Sequence, residues 1–284
     1  MEMFDYEFMQ RAFWAGGLIG IIGPLLGVYL MLRRQVLMAD TLSHVSLAGV
    51  ALGSVLKLNP ALSGFMAAVI GGLVIERLRR LYRTYSELPV AIIMTSGLAL
   101  AVVLMSMKQN LSKSFSSYLF GSIVAVSDTQ LRIIEIVAAA GLIFFIVLRR
   151  PLYSLTFEEE TARIGGVNVG LLSFSFAVLT GMTVAASMPV VGVLLVSALI
   201  VLPASLALRV ASGFVSAIAV SVGAGLTGVF GGLTASYYIN TPPGGTIALL
   251  LLVLLLVTIQ AQKLAVRRKR RILVQASHED KFEF

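Results

Sequence analysis

The sequence predicts an all-α, polytopic integral membrane protein. Three observations carry that reading: 58% of the 284 residues are hydrophobic, 13% are charged, and the apolar residues fall in long unbroken runs. A soluble domain of this size carries roughly 25% charged residues. So few charges do not cover a water-facing surface, and the mean hydropathy of +0.94 points to lipid as the solvent. A soluble enzyme, a DNA-binding module and a disordered chain are excluded. The net charge is +8 and the isoelectric point about 10.0. The basic residues, however, sit in short clusters between apolar runs, which is the pattern of membrane topology, so no nucleic-acid partner is expected.

A helix needs about 20 apolar residues to cross about 30 Å of hydrocarbon. Apolar windows occupy 12–32, 42–57, 60–76, 88–107, 131–148, 168–187, 190–208, 213–236 and 245–265. About eight to nine transmembrane helices follow, with 42–57 and 60–76 near the short limit. The piece 115–126 is too short to cross and reads as re-entrant or interfacial. A barrel is disfavoured because the runs are continuous rather than alternating. Gly16/Gly20, Gly23/Gly27 and Gly49/Gly53 are small-residue pairs that allow close helix packing. Pro24 and Pro203 are expected to bend or break their runs. Asp128 is expected to cap the 131–148 helix, and Glu135, about one turn inside it, to snorkel to the surface. Asn240 to Gly245 reads as an external turn.

Orientation follows from Lys and Arg. With residue 1 outside and nine spans, most of the 22 basic residues fall inside, including Arg33, Arg34, Arg79, Arg80, Arg149, Arg150 and Arg163. That puts the N-terminus out and the C-terminus in. Glu2, Asp5 and Glu7 make the N-terminus acidic where a signal peptide is basic. Residues 1–266 form one transmembrane domain. Residues 267–284 form a charged cytoplasmic tail, whose Arg267 to Arg271 cluster has affinity for anionic membrane lipid.

The chain has no cysteine, which excludes disulfides and thiolate metal sites. It has no phosphate loop and no His-Glu-x-x-His helix. Of its two histidines, His278 lies in the charged tail. His44 follows Asp40 by four residues, so on a helix the two share a face. An ionisable residue in a membrane helix is a functional candidate by default. Carboxylate and imidazole together suit Zn(II) or another first-row divalent ion. The competing reading is a helix-capping Asp40 hydrogen-bonded to His44. The run Phe157 to Gly166 reads as a short surface helix with acids at its start and a Gly-Gly stop, serving either as a solvated loop or as a docking helix.

Four stretches together resemble the membrane permease subunit of metal-ion ABC importers, the family for zinc, manganese and iron. They are Leu32 to His44 with Gly49 following, Tyr118 to Ile123, Glu158 to Gly166, and Gly192 to Ala204. The resemblance spans nearly the whole chain, and the Thr-Leu-Ser-His-Val-Ser-Leu wording is closer to zinc permeases. It implies a type II-like ABC importer permease fold in the plasma (inner) membrane of a prokaryote. It also implies a homodimer, a cytoplasmic ATP-binding subunit and an external metal-binding protein. The family's Asp and His fall on Asp40 and His44, as transient ligands of a cargo ion, zinc foremost, with no permanently bound cofactor. Its coupling segment falls on Glu158, Glu159, Glu160, Ala162, Gly165 and Gly166. ATP hydrolysis is expected in the partner, so this chain is no enzyme. Asn240 stands where many relatives have aspartate, so the ion path is not placed there. The alternatives are a manganese or iron permease, an ion-coupled secondary transporter, a membrane enzyme and a structural scaffold.

Overall fold

The computed structural model describes residues 5–82, 85, 87–107, 112–122 and 126–279, and the regular elements among them are all α-helices. In chain order they are α1 (Glu7–Leu32), α2 (Leu37–Val55), α3 (Pro60–Leu81), α4 (Leu88–Ser106), α5 (Ser112–Phe120), α6 (Asp128–Val147), α7 (Arg149–Phe157), α8 (Glu159–Ile164), α9 (Val169–Val191), α10 (Val193–Val210), α11 (Phe214–Ile239) and α12 (Pro243–Glu279). Backbone groups find no water in hydrocarbon, so long apolar runs satisfy them within a helix.

Among the described residues, eight helices are long and apolar enough to cross a membrane: α1, α3, α4, α6, α9, α10, α11 and the Pro243–Leu264 part of α12. The run expected at 42–57 forms α2, which at 19 residues is long enough but too polar to join them. It is packed instead against α3, α4, α9 and α10. α5, inside the 115–126 piece and its approach, has 9 residues and is too short to cross. The boundary expected at 266 lies inside α12, which continues to Glu279. Glu2, Ile123 and residues 280–284 lie outside the described residues.

Side-chain contacts give the helices alternating directions. α1 and α11 are antiparallel, with Gly16 at Val229 and the Ser221 hydroxyl donating to the Pro24 carbonyl at 3.0 Å. α2 and α3 form a tight antiparallel hairpin, with Ser46 donating to the Gly64 carbonyl and Gly53 set against Ser63. α6 and α10 run parallel to α1, through Trp14 with Glu135 and through Gly27 with Ala204. One end of the bundle thus gathers Arg33, Arg34, Arg79, Arg80 and Arg163 around a cavity of about 810 Å³. The other end gathers Phe8, Phe120, Gly121 and the Tyr237 to Pro243 turn around a cavity of about 840 Å³.

Three expectations change. Of the bend or break expected at Pro24 and Pro203, the break is absent at both: α1 and α10 continue through them. Gly225 leaves room for the Pro24 ring, and neighbouring helices hold both sides in place. Asp128 is not the cap of α6. Ser127 is, through a capping box with Gln130, and Asp128 pairs with Arg11 at 3.1 Å. A hydroxyl one residue earlier reaches the orphan amides better than a carboxylate already inside the helix. Glu135 lies on the outer face of the helices and accepts from the Trp14 indole at 2.9 Å. The Asn240 turn is present, with Asn240 in the left-handed region at φ 57 as it ends α11.

Candidate metal-ion path

Asp40 and His44 sit one and two turns into α2 and share a face. The capping alternative fails on geometry. The N-cap position is Val36, with no side-chain cap, and His44 Nε2 stands 4.0 Å from Asp40 Oδ1, too far for a hydrogen bond. Instead Asp40 Oδ1 accepts from the Ser197 hydroxyl of α10 at 3.3 Å. The Asp40 side chain is 35% exposed, whereas that of His44 is 13% exposed. His44 Nδ1 is buried with no hydrogen-bond partner in the protein.

The rest of α2 is satisfied within the bundle. Thr41 donates to the Leu37 and Val90 carbonyls, Ser43 to Ala39, Ser46 to Gly64 and Ser54 to Val50. Asp40, about a third exposed, keeps acceptor capacity to spare, and the unpartnered buried Nδ1 of His44 is unusual for a buried polar atom. Gly97 permits this close approach: a Cβ there would lie 3.4 Å from the His44 carbonyl carbon, so α4 passes directly against the turn that carries His44.

An oxygen and a nitrogen that share a tetrahedral zinc lie roughly 3.3 Å apart. The observed 4.0 Å therefore closes with a small side-chain rotation. Two ligands do not complete a tetrahedron, and among the described residues no group of three or more His, Cys, Asp or Glu could hold a metal.

The six residues of the expected docking segment come together at the Arg-rich end. Glu158 precedes α8 in extended backbone, and Glu159 and Glu160 form its first turn. Ala162 is buried, Gly165 ends the helix, and Gly166 takes φ 79. Glu159 pairs with Arg163 at 3.3 Å, and both line the 810 Å³ cavity with Glu160.

Sequence reasoning missed what surrounds this cavity. Arg33 donates to the Ser173 hydroxyl at 3.0 Å and lies over the Phe176 ring. Burial lowers its pKa to about 10, partly opposed by Glu76, so it stays charged at neutral pH. Glu76 is buried beside Arg79 and Arg80. Arg33 and Ser173 come from distant segments, whereas Glu76 lies three and four residues before Arg79 and Arg80 on α3, a spacing that could have signalled the cluster. Ser197 had been part of a matching stretch without a role.

A sequence profile described as the ABC 3 transport family matches residues 5–262. A probable metal transport system membrane protein of Treponema pallidum is 35% identical over 247 residues, covering 87% of this chain and 92% of the relative. The high-affinity zinc uptake system membrane protein ZnuB of Haemophilus influenzae is 30% identical, covering 86% and 94%. Further relatives are named for chelated iron and for manganese transport. Among solved structures, PsaBC from Streptococcus pneumoniae in complex with Fab matches with a TM-score of 0.79 and 28% identity, covering 90% of this chain and 94% of that one.

Proposed function

We infer, from the premise that this chain belongs to the ABC 3 transport family, that it is the permease of an ATP-driven importer for a divalent transition-metal ion, with zinc as the main cargo. The observation that carries the reading is the Asp40–His44 pair: in a helix whose other polar groups are spent, these two face one another with the His44 Nδ1 still unpartnered. Relatives named for zinc, iron and manganese support metal transport in common. The imidazole and the zinc-named relative favour zinc.

Two copies related by a two-fold axis would present Asp40 and His44 twice, giving four donors, which is why a homodimer is part of the proposal. The carboxylates offset the ion's lost hydration, and the neutral imidazoles add borderline-soft nitrogen. Ser197 holds the carboxylate in place. The Arg-rich end faces the cytoplasm by the positive-inside rule and receives the ATP-binding subunit at α8. The N-terminus then lies outside, where a metal-binding protein delivers the ion. The metal is cargo, and ATP hydrolysis belongs to the partner.

The test is uptake of zinc, manganese and iron by the complex reconstituted in proteoliposomes. ATP-dependent uptake with zinc fastest is expected. Transport of none of the three overturns the assignment, and uptake that persists with a hydrolysis-dead partner favours a secondary transporter. Ser197→Ala is expected to weaken zinc affinity about tenfold, as loss of a ligand's supporting hydrogen bond does. Titration of the detergent-purified complex checks it.

A further inference from the structure

We propose that Glu76 is a positioning residue for the cargo-binding helix: through Arg79 and Arg80 it clamps the α1–α2 elbow to the first turns of α9, so that movement of α8 is passed to Asp40 and His44. The proposal rests on the importer reading above.

Glu76 lies near the end of α3 and is 4% exposed. A buried carboxylate costs several kcal/mol unless it is paired and hydrogen-bonded. Arg79 Nη1 meets it at 3.1 Å and Arg80 Nε at 2.9 Å. Each arginine has a second grip on another element. With its amide oxygen turned toward Arg79, Gln35 accepts from both Nη atoms at 2.6 and 3.0 Å. Arg80 Nη2 donates to the Val169 and Gly170 carbonyls at 3.3 and 3.2 Å and lies over the Phe174 ring. From the elbow itself, Arg33 reaches Ser173.

The two sides of the clamp are stiff. The elbow turns within four residues, with Gln35 N–H donating to the Leu30 carbonyl and Met38 N–H to Gln35. Asp40 follows one turn later. On the other side, Val167 N–H donates to the Ala162 carbonyl of α8, and the Asn168 side chain caps Leu171 of α9. Helix α8 is thereby tied through Val167 and Asn168 to the first turn of α9. Two guanidiniums pair with one carboxylate, and Arg33 Nη1 is buried without an acceptor. Packing alone is served better by apolar side chains. A charged fork spanning three elements instead fixes one arrangement among them.

The experiment measures metal ions moved per ATP hydrolysed by the complete complex in proteoliposomes. Arg80→Lys keeps a charge opposite Glu76 and gives up the fork that reaches α9. The ratio is expected to fall about fivefold or more, with assembly and basal ATP hydrolysis unchanged. Glu76→Gln keeps the shape and removes the charge that both arginines share; it is expected to lower the ratio too, and it decides the matter if Arg80→Lys assembles poorly. An unchanged ratio in assembled complexes of both variants overturns the clamp. So does a proportional fall of transport, hydrolysis and assembly, which is the mark of plain packing. A wild-type complex that hydrolyses ATP but moves none of the three metals overturns the importer reading instead, and needs no variant to show it.

Discussion

Asp40→Asn is expected to cut metal uptake by the assembled complex on the order of 100-fold. A divalent ion held about 2 Å from a carboxylate oxygen gains on the order of 16 kcal/mol at an effective dielectric near 20, and most of that offsets lost hydration. A surviving ~3 kcal/mol is a factor of roughly 100. Asparagine keeps the volume and can still accept from Ser197, so assembly should hold. His44→Ala keeps the hard oxygen and loses the nitrogen, so zinc uptake should fall more than manganese uptake. Uptake normalised to assembled complex decides between readings. A scaffold role predicts altered assembly without a specific transport defect, and normal uptake in Asp40→Asn would remove the carboxylate from the path.

The largest expected effect on stability is at Gly27→Val. A Cβ at Gly27 would overlap the Ile200 carbonyl and stand 3.2 Å from Ala204 Cβ. The obstacle is the backbone of α10, which has no flexible end to swing aside. Overpacking of this kind costs about 3 kcal/mol or more, and here it also displaces the helix that carries Ser197. Gly223→Ala is the matched control: the position is exposed, and nothing lies within 4 Å of an added Cβ. It should be neutral or slightly stabilising, since glycine costs a helix interior about 0.5–1 kcal/mol relative to alanine. Melting curves in detergent compare the two, and an unmoved midpoint for Gly27→Val would refute the close α1–α10 approach.

The apolar runs gave the spans because lipid allows a continuous apolar segment little but a helix. The 88–107 and 213–236 windows lie close to Leu88–Ser106 and Phe214–Ile239. Helix starts were harder to read. α1 begins at Glu7 rather than 12 because Glu7 and Arg11 neutralise each other across one turn. α6 begins earlier than hydropathy suggests because Ser127 caps it. At the candidate site, the shared face of Asp40 and His44 was legible from their spacing, and α8 from its acids and glycines. The contact with Ser197 and the outer grips of Arg79 on Gln35 and of Arg80 on Val169 and Gly170 were not. They join side chains far apart in the chain, and no periodicity encodes which distant residue closes on which, whereas Glu76 with Arg79 and Arg80 is a local pairing at helical spacing.

Helix α2 also has a consequence for synthesis. Among the described residues it is not one of the helices apolar enough to cross by composition, and two of the helices packed against it, α9 and α10, are made long after it. As it emerges from the ribosome it has α1 and then its hairpin mate α3 for company. A nascent chain halted before α9 would therefore present Asp40 and His44 to the insertion machinery uncovered, and quality-control proteases should clear such fragments faster than those stopped after α10.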